Sequence, residues 1–183
     1  MMPGKVQFAE SQGTWLVKLF GEVRLTLCQA LETFLEKVTS DSKFRSIIID
    51  VSEASTIDST SLGLLAKLSI KTQKLFGLMP VLISTRRDIT RLLLSMGFDK
   101  VFIIVEHMDK SVAFSMHDLP CDISADEQAT HQRVLDAHRT LMSLNDDNRK
   151  AFRDLVEQLE HYAETHATSY QPPLTKHCGT HGP

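Results

Sequence analysis

The spacing of apolar and polar residues changes period several times along the chain, and each change marks an element. Val6 to Ala9 and Thr14 to Phe20 read as two strands around a turn at Gly13. In the second, Trp15, Val17 and Leu19 alternate with Leu16, Lys18 and Phe20. The two strands form an antiparallel hairpin on this reading, and Gly21 stops the second. The period then becomes helical: Leu27, Leu31, Phe34, Leu35 and Val38 trace one stripe of a helix from Leu25 to Val38, and Thr26 with Gln29 offers a capping box. Phe44 to Val51 contains Ile47-Ile48-Ile49, a β-branched run suited to a strand at the centre of a sheet. A helix from about Ser59 to Phe76 is ended by Gly77 and Pro80. Val81 to Ser84 is a strand, Asp88 opens a helix carrying Ile89, Leu92, Leu93 and Met96 up to Gly97, and Val101 to Val105 is a last strand. A short helix around Lys110 to Met116 is expected to cover one edge.

The order β-β-α-β-α-β-α-β-α predicts the α/β class, with right-handed crossovers between parallel strands. After Leu119-Pro120-Cys121 the strand patterns end. Ser124 and Glu127 form a capping-box pair, and Ala125, Ala129, Val134, Leu135, His138, Leu141 and Met142 trace a helical stripe. Asn145-Asp146-Asp147-Asn148 breaks it, and Phe152, Leu155, Val156, Leu159, Tyr162 and Ala163 define a second helix, so the region reads as an αα-hairpin. The expected organisation is a domain over residues 1–118, a helical extension over 119–167, and a disordered tail over 168–183 with Pro172-Pro173 and late glycines.

Composition narrows the function classes. Charged residues make up 23% of the 183-residue chain and the net charge is −3, which gives no basic footprint for nucleic acid. The amino terminus lacks the apolar core of a signal peptide, and no run approaches the roughly 20 apolar residues that span a bilayer, so a cytoplasmic protein without direct membrane insertion is expected. Cys28, Cys121 and Cys178 are odd in number and irregular in spacing, which suggests reduced thiols rather than a disulfide framework or zinc site. Charge is unevenly divided: Asp122 to Glu164 holds ten acids against five bases. That hairpin is therefore expected either to dock on the domain or to offer a second partner surface.

The chemistry concentrates in Ile57-Asp58-Ser59-Thr60-Ser61-Leu62-Gly63. An acid followed by hydroxyl residues at a helix start suits capping of the orphan backbone N–H groups. Capping needs one such residue, so the surplus suggests a phosphate acceptor. At 100° per residue, Leu64, Leu65, Leu68, Thr72, Leu75 and Phe76 share the buried arc, whereas Thr60, Gly63, Lys67, Lys71 and Lys74 fall together within about 80° on another. Leu62 and Ile70 point outward beside them. This arithmetic predicts an exposed Thr60 on a cationic strip flanked by apolar residues, a docking surface rather than plain solvation. A phosphate there adds about −1.5 to −2 charges at a helix N-terminus, which the dipole tolerates and a close-packed partner does not.

The motif Asp58-Ser59-Thr60-Ser61-Leu62-Gly63, preceded by Ile47-Ile48-Ile49-Asp50-Val51-Ser52 in this element order, resembles the STAS domains of bacterial anti-sigma factor antagonists over about residues 5 to 118. The resemblance implies a STAS-like mixed β-sheet packed by helices, with the C-terminal αα-hairpin as an addition. It implies Thr60 as the phosphate acceptor, with Ser59 and Ser61 as alternatives because Ser61 stands where the family usually has Gly. It also implies an anti-sigma factor or serine/threonine kinase as the partner of the unphosphorylated form and a metal-dependent phosphatase that resets it. Partner contacts are expected from Asp58, Ser59, Thr60, Ser61, Leu62, Gly63, Lys67, Ile70 and Lys71. The alternative within the same fold is a regulatory or scaffold subunit of a transporter or signalling complex.

Catalysis and cofactors are not expected. All eight histidines lie at His107 or later and none is tied by local motif to the hydroxyls. Neither a Gly-x-Ser-x-Gly elbow nor a phosphate-cradling glycine loop is present. His131 with His138, and His177 with Cys178 and His181, read as packing and tail residues rather than metal ligands.

Overall fold

The computed structural model describes residues 2–108, 114–121 and 126–167, with side chains up to residue 165. Six strands form one sheet in the order β5-β4-β3-β2-β1-β6. β1 (Lys5–Ser11) and β2 (Thr14–Val23) form the expected antiparallel hairpin; β2, β3 (Ser46–Ile57), β4 (Val81–Ile83) and β5 (Ile103–Val105) run parallel. The sheet is therefore mixed. At its far edge β6 (His117–Asp118) pairs antiparallel with β1. Its two residues are too few to carry a period. The short helix expected around Lys110 to Met116 lies largely outside the described residues, as do Ser124 of the expected capping box and the tail from residue 168; residues 114–116 are not helical.

Helices follow the strands: α1 (Leu25–Thr39), α2 (Ser59–Phe76), α3 (Arg87–Ser95), then α4 (Glu127–Leu144) and α5 (Asp146–Ala167). The core is assembled from the stripes the pattern marks: Leu27, Leu31, Leu35 and Val38 of α1 and Leu64, Leu65 and Leu68 of α2 join Val17, Leu19, Ile47, Ile49 and Leu82 of the sheet, all buried. Phe34 instead closes an aromatic cluster with Phe8 (ring centroids 4.6 Å) and Trp15 (5.7 Å). The last turn of α2 departs from the expected buried arc. Leu75 is 57% exposed and Phe76 37%, Phe76 packing on Phe44 where the helix runs off the sheet.

Two strand ends move and one helix cap fails, for identifiable reasons. Gly21 does not stop β2: at φ 61° it sits in a bulge, where the register against β3 shifts, and the strand continues to Val23. β3 correspondingly extends beyond Val51 to Ile57. The Thr26–Gln29 capping box does not form, because α1 begins directly after Arg24 and finds its cap elsewhere.

That cap is Asp58. β2 and β3 are parallel neighbours ending level, at the Val23–Ile57 pair, so α1 and α2 start side by side. One Asp58 carboxylate oxygen accepts the backbone N–H of Ser61 in α2 (2.7 Å) and the other accepts the N–H of Leu25 in α1 (2.7 Å). Asp58 itself donates its backbone N–H to Val23 O (3.0 Å), which ties the junction to the strand end. A single cap contributes about 1 kcal/mol and a hydrogen bond to a charged group about 1.5–3 kcal/mol. Asp58→Ala is therefore expected to destabilise the fold by about 2–4 kcal/mol, with Asp58→Asn intermediate. Urea unfolding at unchanged slope measures this, and a loss below about 0.5 kcal/mol would contradict the shared cap.

Candidate functional site

The hydroxyl cluster occupies the first turn of α2, immediately after Asp58. Its three members face different surroundings. Ser61 is fully buried, its Oγ 3.3 Å from Cys28 Sγ of α1. Burial pushes the Cys28 thiol up to about 11, the Ser61 hydrogen bond offsetting only part of the effect. Ser59 is half-buried and its Oγ lies 2.9 Å from His138 Nε2 of α4. Nδ1 of the same ring is 2.7 Å from Val134 O, a carbonyl that can only accept. Nδ1 therefore carries the proton of the neutral ring, and Nε2 accepts from the Ser59 hydroxyl. Thr60 lies between them and is 6% exposed.

This corrects the expectation of an exposed Thr60 beside an outward Leu62. Leu62 is 1% exposed, and Gly63 and Ala66 are buried as well. The reason is α4, which lies along the arc of α2 that faces away from the sheet. A β-carbon on Gly63 would come within 2.6 Å of the Cα and carbonyl carbon of Ala137, so only glycine allows the two backbones to approach this closely. Leu135, Ala137, His138, Leu141 and Leu144 form the buried face of α4, and Leu141 and Leu144 belong to the same apolar cluster as the sheet.

The cationic strip is also partly engaged. Glu32 of α1 accepts Lys67 Nζ through one carboxylate oxygen (3.1 Å) and Arg133 Nε of α4 through the other (2.9 Å). Arg133 is 12% exposed and Glu32 20% at the side chain, so this ion pair is well shielded, whereas Lys67 at 45% reaches solvent. Burial pushes the Glu32 carboxyl up, but the hydrogen bonds from Arg133 and Lys67 outweigh it and hold the group below its ordinary value. Lys71 is half-buried, Lys74 exposed, and Ile70 36% exposed, so the part of the expected surface left open is the later half of α2.

At the far end, α4 is fastened to the α3 region. Lys100 Nζ donates to Leu144 O (2.8 Å), and Asn148 Nδ2 donates both to Met96 O (3.0 Å) and to Leu141 O (2.8 Å). Asn145 Oδ1 accepts the N–H of Asn148 (2.7 Å) and so caps α5 across a one-residue joint, the physical content of the expected helix break.

His138 and Arg133 were not recoverable as site residues from local motif: they stand 79 and 101 positions from Ser59 and Glu32. Among the described residues no group of three His, Cys, Asp or Glu side chains is placed to hold a metal ion, and no helix is long and apolar enough to cross a membrane. His177, Cys178 and His181 lie outside the described residues.

The sequence pattern of the STAS domain matches residues 5–114. The chain belongs to the STAS domain family. A solved STAS-like neighbour, an anti-sigma factor antagonist from Mycobacterium paratuberculosis, superposes with a TM-score of 0.51 at 24% identity, covering 58% of this chain and 88% of its own. That likeness supports the fold of the STAS domain. Comparison with curated proteins finds no match. Both α4 and α5 lie beyond the stretch that matches the STAS pattern.

The Glu32 geometry has a pH consequence. A carboxylate whose folded value is depressed contributes stability that is fully present above its unfolded value, near 4.5, and is lost as pH falls through the folded value. The hold of α4 on α1 is therefore expected to weaken as pH falls below about 4.5, and Glu32→Gln should remove that part of the acid dependence. Thermal unfolding of both forms between about pH 3 and 7, a range that spans the carboxylate titration, measures the difference; parallel curves would contradict a stabilising ion pair.

Proposed function

We propose that this STAS protein is an anti-sigma factor antagonist that works by phosphorylation-controlled partner switching. The observation that carries the reading is the first turn of α2. Asp58 already supplies the cap, so Ser59 and Thr60 are not required for that role, yet they stand where free N–H groups and the helix dipole stabilise negative charge. Thr60 is the favoured acceptor, with Ser59 and Ser61 as alternatives; the burial of Ser61 against Cys28 makes it the least suited of the three. The docking surface comprises Asp58, Ser59, Thr60, Ser61, Leu62, Gly63, Lys67, Ile70 and Lys71. Its partner is an anti-sigma factor or serine/threonine kinase, and a metal-dependent phosphatase reverses the modification in the cytoplasm.

The switch follows from desolvation. Packing a partner over a phosphate dianion without matching cations costs several kcal/mol. Even about 3 kcal/mol weakens binding on the order of a hundredfold. One observation favours the second reading, a regulatory or scaffold subunit of a transporter or signalling complex: with α4 in place Thr60 is only 6% exposed, and a scaffold has no need of an accessible acceptor.

Recovery of the partner with the unmodified chain, followed by mapping of any phosphosite, separates the two readings. A kinase-type anti-sigma factor supports switching, and transporter subunits support the scaffold. With the partner in hand, Thr60→Glu is expected to weaken the complex by about a hundredfold while Thr60→Ala keeps it constitutive. If both variants bind as the native chain does in titration calorimetry, switching at Thr60 is wrong.

A further inference from the structure

The first turns of α2, within the face assigned above to a partner, are already covered, and the cover is a segment of this chain. α4 meets it at three kinds of contact. Ala137 fits against the bare backbone of Gly63, His138 accepts the Ser59 hydroxyl, and Arg133 reaches Glu32 beside Lys67. Leu62 is buried in the same apolar cluster as Leu141 and Leu144 of α4.

Leu141 and Leu144 carry part of this cover into the apolar cluster of the sheet, and two further features bear on how it can part from α2. First, the seam has a large polar share: Ser59, His138, Glu32, Arg133, Lys100 and the Met96 carbonyl can all exchange their cross-seam bonds for water when the surfaces part. Second, the hairpin holds together through contacts that do not involve the domain. Asn145 caps α5, Arg139 pairs with Glu160 (2.7 Å), His138 packs edge-on to Phe152 (5.1 Å) and His131 stacks near Tyr162 (4.9 Å). It can therefore lift as a unit.

We propose that α4 is a displaceable cover of the α2 docking face, holding Ser59 and Gly63 closed until a partner helix takes its place. The inference rests on the reading that this face docks a protein. Uncovered, the face presents a small-residue notch at Gly63, a hydroxyl donor at Ser59, a carboxylate at Glu32 and an aliphatic at Leu62. The matching partner surface is a helix with a small residue at its centre, a hydrogen-bond acceptor one position away and a cation about one turn before it, the arrangement that Ala137, His138 and Arg133 supply within the chain.

The test uses the full chain and needs neither partner nor phosphate, so it can fail independently of the switching reading. Amide hydrogen exchange compares α4 and the first turns of α2 with the central strand β3, while hydroxyl-radical footprinting reads exposure of Leu62. In the native chain α4 is expected to exchange through an opening that leaves β3 protected. Arg133→Glu, which sets two carboxylates against each other, should accelerate α4 exchange by about tenfold or more and raise Leu62 oxidation without changing β3. The exchanged pair Glu32→Arg with Arg133→Glu should return both readouts toward the native values. Gly63→Ala, which forces α4 outward without altering charge, should reproduce the opening. Exchange of α4 in step with β3 in the native chain and in every variant would overturn the proposal, because the hairpin would then open only when the whole fold unfolds.

Discussion

Everything at the functional end of this molecule depends on one carboxylate serving two helices. β2 and β3 are parallel and end level, so α1 and α2 begin side by side with their unpaired N–H groups converging. A hydroxyl could satisfy one of these helices. Asp58 has two oxygens and satisfies both, and its charge lies at the positive ends of two helix dipoles, each worth about 0.3–1 kcal/mol. The bond from Asp58 N–H to Val23 O fixes the clamp to the sheet. With the helix starts held in this way, Glu32 of α1 comes within reach of Lys67 of α2, and the pair becomes the anchor that Arg133 uses.

The same clamp releases the three hydroxyls from capping and lets their positions on the helix divide them. Ser61 turns inward and becomes part of the contact with Cys28. Ser59 turns toward α4 and meets His138. The Ser59–His138 pair resembles a nucleophile with its base, but the other ring nitrogen donates to the Val134 carbonyl and the ring is 2% exposed. That arrangement fixes the ring and holds α4 in register on the first turn of α2.

What the sequence made legible, and what it did not, divides along the range of the interactions. Local periodicity located α1, α2 and α3 and the hairpin because their stripes repeat within a few residues, and Ile47-Ile48-Ile49 marked the central strand. The capping box at Thr26 failed because the real acceptor for α1 lies 33 positions away. Helical arithmetic put Thr60, Gly63, Lys67, Lys71 and Lys74 on a second arc, with Leu62 and Ile70 outward beside it, apart from the arc that packs on the sheet. It could not say what lies against that second arc, because a wheel gives a direction and not a neighbour. A glycine among outward aliphatics was the available signal: a helix interior loses about 1 kcal/mol by carrying Gly instead of Ala, a cost that close backbone approach explains.

The covered face also sets what a partner must overcome. If the hairpin is open for a fraction of the time, the apparent affinity of anything that needs the uncovered α2 falls by that fraction, and each 1.4 kcal/mol of closure costs about tenfold. A seam built only of leucines at about 1.5–3 kcal/mol each would close the face against all but the tightest ligands. The seam here combines apolar contacts at Gly63–Ala137, Leu141 and Leu144 with polar ones at Ser59, Glu32 and Lys100. Polar contacts contribute a modest net energy each, more where a partner is charged and shielded as at Glu32 and Arg133, and they demand a specific register. Such a division yields a cover whose polar contacts set how it sits and whose buried leucines supply much of its hold, so a second helix competing for the same place must match both.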